Sequence, residues 1–159
     1  PADEVLSRVE KLIKENKKLA KDLKNAAKGG GSDAMTEAKK LLENCEKIGD
    51  SSIVVGELAG ATVEQARAAI DMVKKKAKSA AVVFAFANES NVTILAGVTD
   101  NLIKQGVKAG DIVKEIAPVV GGGGGGRPQM AQAGGNDPSK IGKALEKAVE
   151  FISKKLKKP

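Results

Sequence analysis

Histidine is absent from the 159 residues, and so are Trp and Tyr. Without imidazole the chain cannot build a Ser–His or Cys–His nucleophile pair, nor a Cys/His zinc site, so neither a catalytic residue nor a metal ligand set is expected. Cys45 is the single cysteine. No disulfide can close within the chain, and a reducing compartment, the cytoplasm, is the expectation. No apolar run approaches the roughly 20 residues of a membrane span, and PADEVLSRVE lacks the basic-then-apolar profile of a signal peptide, so no membrane partner is expected. A start at Pro1 without Met points to a piece excised from something longer. Three Phe are the only aromatics, which leaves an aliphatic, small-residue core and little for base stacking.

What the chain has is positive charge and glycine. Lys and Arg number 27 against 20 Asp and Glu, a net +7 that favours polyanionic partners. The excess sits at the two ends: +3 over residues 1–31, −2 over 32–100 and +6 over 101–159. Surplus Lys that merely keeps a protein soluble is the competing reading of charge alone.

Residues 2–28 read as one long helix. Val5, Val9, Leu12, Asn16, Leu19, Leu23 and Ala26 follow a 4-3 spacing of about three heptads, with Asn16 at an a position. Such a seam can pair with a second copy or fold back on its own domain. Gly29, Gly30 and Gly31 are expected to end this arm in a hinge. A second helix is predicted from Ser32 or Asp33 to about Ile48, with Cys45 inside it as a structural thiol.

Downstream, SSIVVGEL (51–58), AAVVFAFA (80–87) and VTILAGV (92–98) read as strands. Thr62 and Gln65 form a capping box for a helix to about Lys78. Phe84 and Phe86, two apart, belong on one sheet face. Residues 101–119 are helical with a break near GVKAGD, and Asp137-Pro138 opens a last helix, with Asp137 as its cap. On that helix Lys140, Lys143 and Lys147 gather on one side, opposite Ile141, Ala144, Ala148 and Ile152. The fold class is α/β in the α+β sense: a helical arm (1–31) with a glycine hinge, then a globular domain (32–159) with a small mixed sheet flanked by helices.

Between these elements lies VGGGGGGRPQMAQAGG (120–135). Gly121, Gly123 and Gly126 spell G-x-G-x-x-G, but the segment does not join a strand directly to a helix. The Walker pattern fails as well, because Arg127-Pro128 stands where Lys and Ser/Thr are needed. Two readings of the stretch remain. In one, the amides of Gly121, Gly122, Gly123, Gly124, Gly125 and Gly126 cradle anionic oxygens beside Arg127, Gln132 and Asn136. In the other, the glycines form a loop that lets chain segments cross tightly.

The segment 108–148, KAGDIVKEIAPVVGGGGGGRPQMAQAGGNDPSKIGKALEKA, resembles the C-terminal domain of alanyl-tRNA synthetases, a branch of the DHH-associated domain family. The likeness is carried by Lys108-Ala109-Gly110-Asp111, the glycine run, Arg127-Pro128 and Met130-Ala131-Gln132-Ala133-Gly134-Gly135. It extends more loosely over the whole chain. The glycine run is longer than the family pattern, and Gln129 replaces an acidic residue. Related phosphoesterases carry His beside their glycine loop, where Arg127-Pro128 stands here, which argues against nuclease chemistry.

The resemblance implies a non-catalytic appendage without cofactor. Its partners would be tRNA, alanine-specific and held at the outer corner where D and T loops meet, and the catalytic and editing modules of a parent synthetase. A homodimer through residues 2–28 is a further implied partner. The expected RNA-binding residues are Gly121 to Gly126, Arg127, Gln132, Asn136, Lys140, Lys143 and Lys147. The cluster Lys74, Lys75, Lys76 and Lys78 and the arm's Lys face are the other candidates. The rival function is a coiled-coil tether whose positive charge is incidental.

Overall fold

A computed structural model describes the backbone of residues 2–157 and the side chains of residues 4–19 and 34–157. The first helix, α1, runs over Ala2–Glu43 and is followed by the strands β1 (Glu46–Ile48) and β2 (Ser51–Glu57). Helix α2 (Val63–Lys76) leads to β3 (Ala80–Asn88) and β4 (Asn91–Val98), then α3 (Asp100–Lys104) and α4 (Ala109–Ile116). A 3-10 turn at Ala117–Val120 precedes β5 (Gly123–Gly126) and β6 (Met130–Gly135). A second 3-10 turn, Pro138–Lys140, opens α5 (Ile141–Lys157).

The six strands form one mixed sheet in the order β1-β2-β3-β4-β6-β5, in which only β2 and β3 are parallel. Strand alternation explains its two cores. Val54, Val82, Phe84, Phe86 and Leu95 face α1 and α2, whereas Ile53, Ala81, Val83, Ala85, Ile94 and Ala96 face α3, α4 and α5. Phe84 and Phe86 are fully buried on the first face, as their spacing requires. β3 and β4 are buried on both sides and therefore read as nearly unbroken apolar runs.

Thr62 caps α2 by the capping box that its sequence announces: its Oγ1 accepts from the Gln65 amide at 3.3 Å, and the Gln65 Oε1 accepts from the Thr62 amide at 3.0 Å. α5 buries Ile141, Ala144, Ala148 and Ile152, as expected.

Four sequence expectations are corrected. The glycine triplet does not end the first helix, because α1 continues through it to Glu43. Its later turns have a surface to bind: Ala34 and Ala38 are buried against the α2 side, and Leu41 lies over Gly56 of β2, where any Cβ would collide with it. That docking outweighs the roughly 1 kcal/mol per glycine that helix propensity opposes. No separate helix reaches Ile48. Asn44 closes the helix end by donating its backbone amide and its side-chain Nδ2 to the Lys40 carbonyl, Cys45 sits half-buried in the connection, and a Gly49-Asp50 turn joins β1 to β2. Asp137 occupies the expected cap position, but its carboxylate makes no capping hydrogen bond of ordinary geometry, the Ser139 amide having only a minor effect on it. It accepts instead from the Ser139 hydroxyl and meets the Lys140 ammonium, in that order of effect, and both hold its pKa below the usual carboxylate value.

The fourth correction concerns the glycine run, which after a turn at Gly121 and Gly122 is a strand over Gly123–Gly126 rather than a loop throughout. β5 pairs antiparallel with β6, matching Gly124 with Ala133 and Gly126 with Ala131. A Cβ on Gly122 would collide with the Gly134 carbonyl, and one on Gly124 with the Ala133 backbone. One on Gly126 would stand 2.7 Å from the Ala131 Cα. Gly121 has φ +71° beside Asn136. At Gly123 nothing lies within 4 Å, and at Gly125 the nearest atom is the Lys114 side chain at 3.7 Å. Bare backbone is thus required at four of these positions, and two are sterically free.

Gly124→Ala should destabilise the protein by about 1–3 kcal/mol through overpacking, whereas Gly123→Ala should be neutral or slightly stabilising. Urea denaturation of both variants checks this, and equal midpoints for the two would refute the packing assignment.

Candidate nucleic-acid interface

The β5–β6 hairpin sets the site. Arg127 and Met130 exchange backbone hydrogen bonds of 3.0 and 3.3 Å across a two-residue turn, Pro128-Gln129. Antiparallel alternation then turns the amides of Gly125 and Gly123 toward β6 and those of Gly124 and Gly126 away from it. Gly121 donates to the Pro118 carbonyl and Gly122 to the Ala117 carbonyl. Of the six amides proposed as an anion cradle, two therefore face the free edge. The Gly126 carbonyl is already covered by α4, since a Cβ on Gly110 would stand 3.0 Å from it.

The turn projects Arg127 into solvent between two clefts. On one side lie Arg67 and Asp71 of α2, Leu95, Met130 and Gln132. On the other lie Asp100, Ile103, Lys104, Pro128 and Gln129. A third depression adjoins them, formed by Asp71, Lys74, Lys75, Lys78, Thr99, Asp100, Asn101 and Gln129. Gln129 joins the surfaces by donating to Asp100 Oδ1 at 3.1 Å, which gives the residue that departs from the family pattern a clamping role beside the turn. Lys108 flanks the same place, because the amide that follows it, Ala109, donates to the Pro128 carbonyl at 2.9 Å. Arg67, Lys74, Lys75, Lys78, Lys104 and Arg127 thus surround two carboxylates, Asp71 and Asp100. None of these cations takes part in an ion pair among the described residues.

The expected site residues are not all brought together. Gln132 joins Arg127 near α2, where the Arg67 guanidinium donates to its Oε1 at 3.4 Å. Gly121 and Asn136 meet at the other end of the hairpin, six residues and so roughly 20 Å from the turn at about 3.3 Å per strand residue. Lys140, in the 3-10 turn that precedes α5, and Lys143 and Lys147, on α5, lie on the sheet face opposite α2. Lys140 is paired with Asp137 at 3.3 Å and Lys147 with Glu115 of α4 at 3.2 Å. Only Lys143 of the three is exposed and free of an ion pair among the described residues. Arg67 and Lys104 were missed in sequence because each is isolated among neutral residues, and only the fold gathers them.

The described residues contain no group of acidic, Cys or His side chains able to hold a metal ion. None of their helices is long and apolar enough to cross a membrane.

The family model of the DHHA1 domain matches residues 50–154. The chain belongs to the DHHA1 domain family. Among curated relatives, the alanine–tRNA ligase of Rhodopirellula baltica is 40% identical over 96% of this chain, and that of Pelotomaculum thermopropionicum 39% identical over 78%. The chain spans only 16% and 14% of those two proteins. The C-Ala domain of Aquifex aeolicus alanyl-tRNA synthetase superposes with a TM-score of 0.60 at 29% identity, covering 72% of this chain and 98% of that domain. An exopolyphosphatase-related protein from Bacteroides fragilis shares the fold at 15% identity, with a TM-score of 0.50 over 81% of this chain and 36% of its own. The likeness to the synthetase C-terminal domain, read above from the glycine run and its flanks, is thus present in both sequence and fold.

Because Lys140 and Lys147 are already neutralised, replacing both by Ala should lower RNA affinity less than replacing Lys75 and Arg127. A filter-binding comparison of the two double variants at one salt concentration checks the order, and the reverse order would move the interface to α5.

Proposed function

We propose that this chain is the tRNA-binding appendage of an alanine–tRNA ligase, reading folded RNA by phosphate contacts from the basic surface around the β5–β6 turn. The observation that carries the reading is the gathering around one turn of Arg67, Lys74, Lys75, Lys78, Lys104 and Arg127, without ion pairs among the described residues, in a chain similar to the C-terminal domain of those ligases. Arg127 offers a planar, permanently charged fork, and the lysines offer point charges that follow a curved backbone. With almost no exposed aromatics, affinity rests on charge and shape. The favoured target is the outer corner of tRNA. Holding that corner would let ligase and editing modules, on other parts of a parent chain, work on one bound tRNA.

A second reading is supported by the arm. Val5, Leu6, Val9, Leu12, Ile13 and Leu19 are 45–63% exposed, and Asn16 is exposed with them. An apolar stripe of that size on one helix suits a partner helix, and a second copy of the arm would supply one in register. The arm's Lys21, Lys24 and Lys28 lie outside the described side chains. Tethering and RNA binding occupy separate surfaces, so both can hold together.

Arg127→Ala with Lys75→Ala should weaken tRNA binding and reduce the slope of log affinity against log salt by about 2, one for each lost phosphate contact. An unchanged slope with a folded variant would remove this surface from the interface. Deleting residues 1–31 should leave that slope nearly intact, and sedimentation of the two lengths tests the tether: a dimer converted to monomer supports it, and a monomer at both lengths excludes it.

A further inference from the structure

The cleft between α2 and the β5–β6 turn has a chemistry that phosphate binding does not need. It is an open recess of about 510 Å³ with an apolar floor, Leu95 and Met130, and polar walls of Arg67, Asp71, Arg127 and Gln132. α2 packs mainly on β3 and β4 and reaches β6 through the Arg67–Gln132 hydrogen bond, which leaves Met130 as the accessible part of the floor. Leu95 contributes from a fully buried position, and Met130 is half-buried. A carboxylate placed there repels phosphate, so Asp71 argues for a ligand with hydrogen-bond donors as well as acceptors.

We propose that this recess takes one unstacked guanine base of the bound RNA, an inference that rests on the RNA-binding reading. The base would lie flat on the half-buried Met130 thioether, a soft apolar surface that does the work of the missing aromatics. Arg67 and Asp71 are four residues apart and share one face of α2. Asp71 accepts from the paired donors N1–H and N2–H of guanine, and an Arg fork donates to O6 and N7. Gln132, held by its hydrogen bond from Arg67, keeps that guanidinium over the recess. Adenine presents a ring acceptor where guanine presents N1–H, so it sets a lone pair against the carboxylate. Pyrimidines cover less of the floor.

The test is a titration of the isotope-labelled 159-residue chain with GMP, IMP, AMP, UMP and inorganic phosphate, followed by amide NMR. The expected result is displacement of the Met130, Gln132 and Asp71 signals, with GMP bound about five-fold or more tighter than AMP, and IMP, which lacks the N2 amino group, in between. Asp71→Asn should shrink the GMP/AMP ratio below about two-fold. The same spectra report whether this variant, at an exposed helix position, remains folded. Equal binding of GMP, AMP and UMP, or equal displacement by phosphate alone, would overturn the guanine assignment. If tRNA still binds with a steep salt slope in that case, the RNA-binding reading stands without it. Guanine preference in a chain that does not bind tRNA would instead support the recess and sink the tRNA reading.

Discussion

The architecture depends on the contact between β5 and β6, which lie so close that no side chain fits at Gly122, Gly124 or Gly126. Everything functional follows from that approach. It closes the sheet's last edge with a strand that has no side chains, lets Gly110 of α4 sit against the Gly126 carbonyl, and ends in a two-residue turn that holds Arg127 out toward α2. Glycine loses more conformational entropy than any other residue when it is ordered into a strand. The cost is offset by the pairing with β6 and by Ala131 and Ala133, which β6 buries against the α4 side of the core.

The same geometry divides two ideas that the sequence had joined. A cradle of glycine amides and a row of α5 lysines cannot act as one surface, since the hairpin separates its two ends and α5 lies across the sheet from α2. The positive surface that remains is assembled from α2 and the residues just after it, the end of α3 and the hairpin turn. There the cations have no carboxylate partners among the described residues, and the two acids, Asp71 and Asp100, lie among them. Unpaired cations retain their full field for a polyanion, whereas Lys140 and Lys147 must first give up a neighbour.

Much of the fold was legible because the local signals agreed with tertiary packing. Thr62 and Gln65 announce the start of α2, the apolar runs of β3 and β4 announce central strands, and GVKAGD marks the break between α3 and α4. The misreadings share one cause. Glycine was taken as a signal of chain ends or loops at residues 29–31 and 121–126, yet a helix runs through the first and a strand forms over Gly123–Gly126 of the second, because surrounding segments provide a partner surface; only Gly121 and Gly122 remain a turn. The candidate site was legible in part, at Arg127 and Gln132, which carry the family likeness, and in the Lys74 to Lys78 cluster held as an alternative. Arg67 and Lys104 could not be read, because residues 60 and 23 positions from Arg127 become its neighbours only through strand order.

The central claim is that RNA lies against the β5–β6 turn rather than along α5. Photo-crosslinking to bound tRNA from a benzophenone side chain placed at the exposed position of Gln129, and separately at Lys143, tests it most directly. The account predicts efficient crosslinks from position 129 to nucleotides of the D and T loops and few from position 143. Crosslinks from position 143 alone, or from position 129 to the acceptor stem, would contradict it.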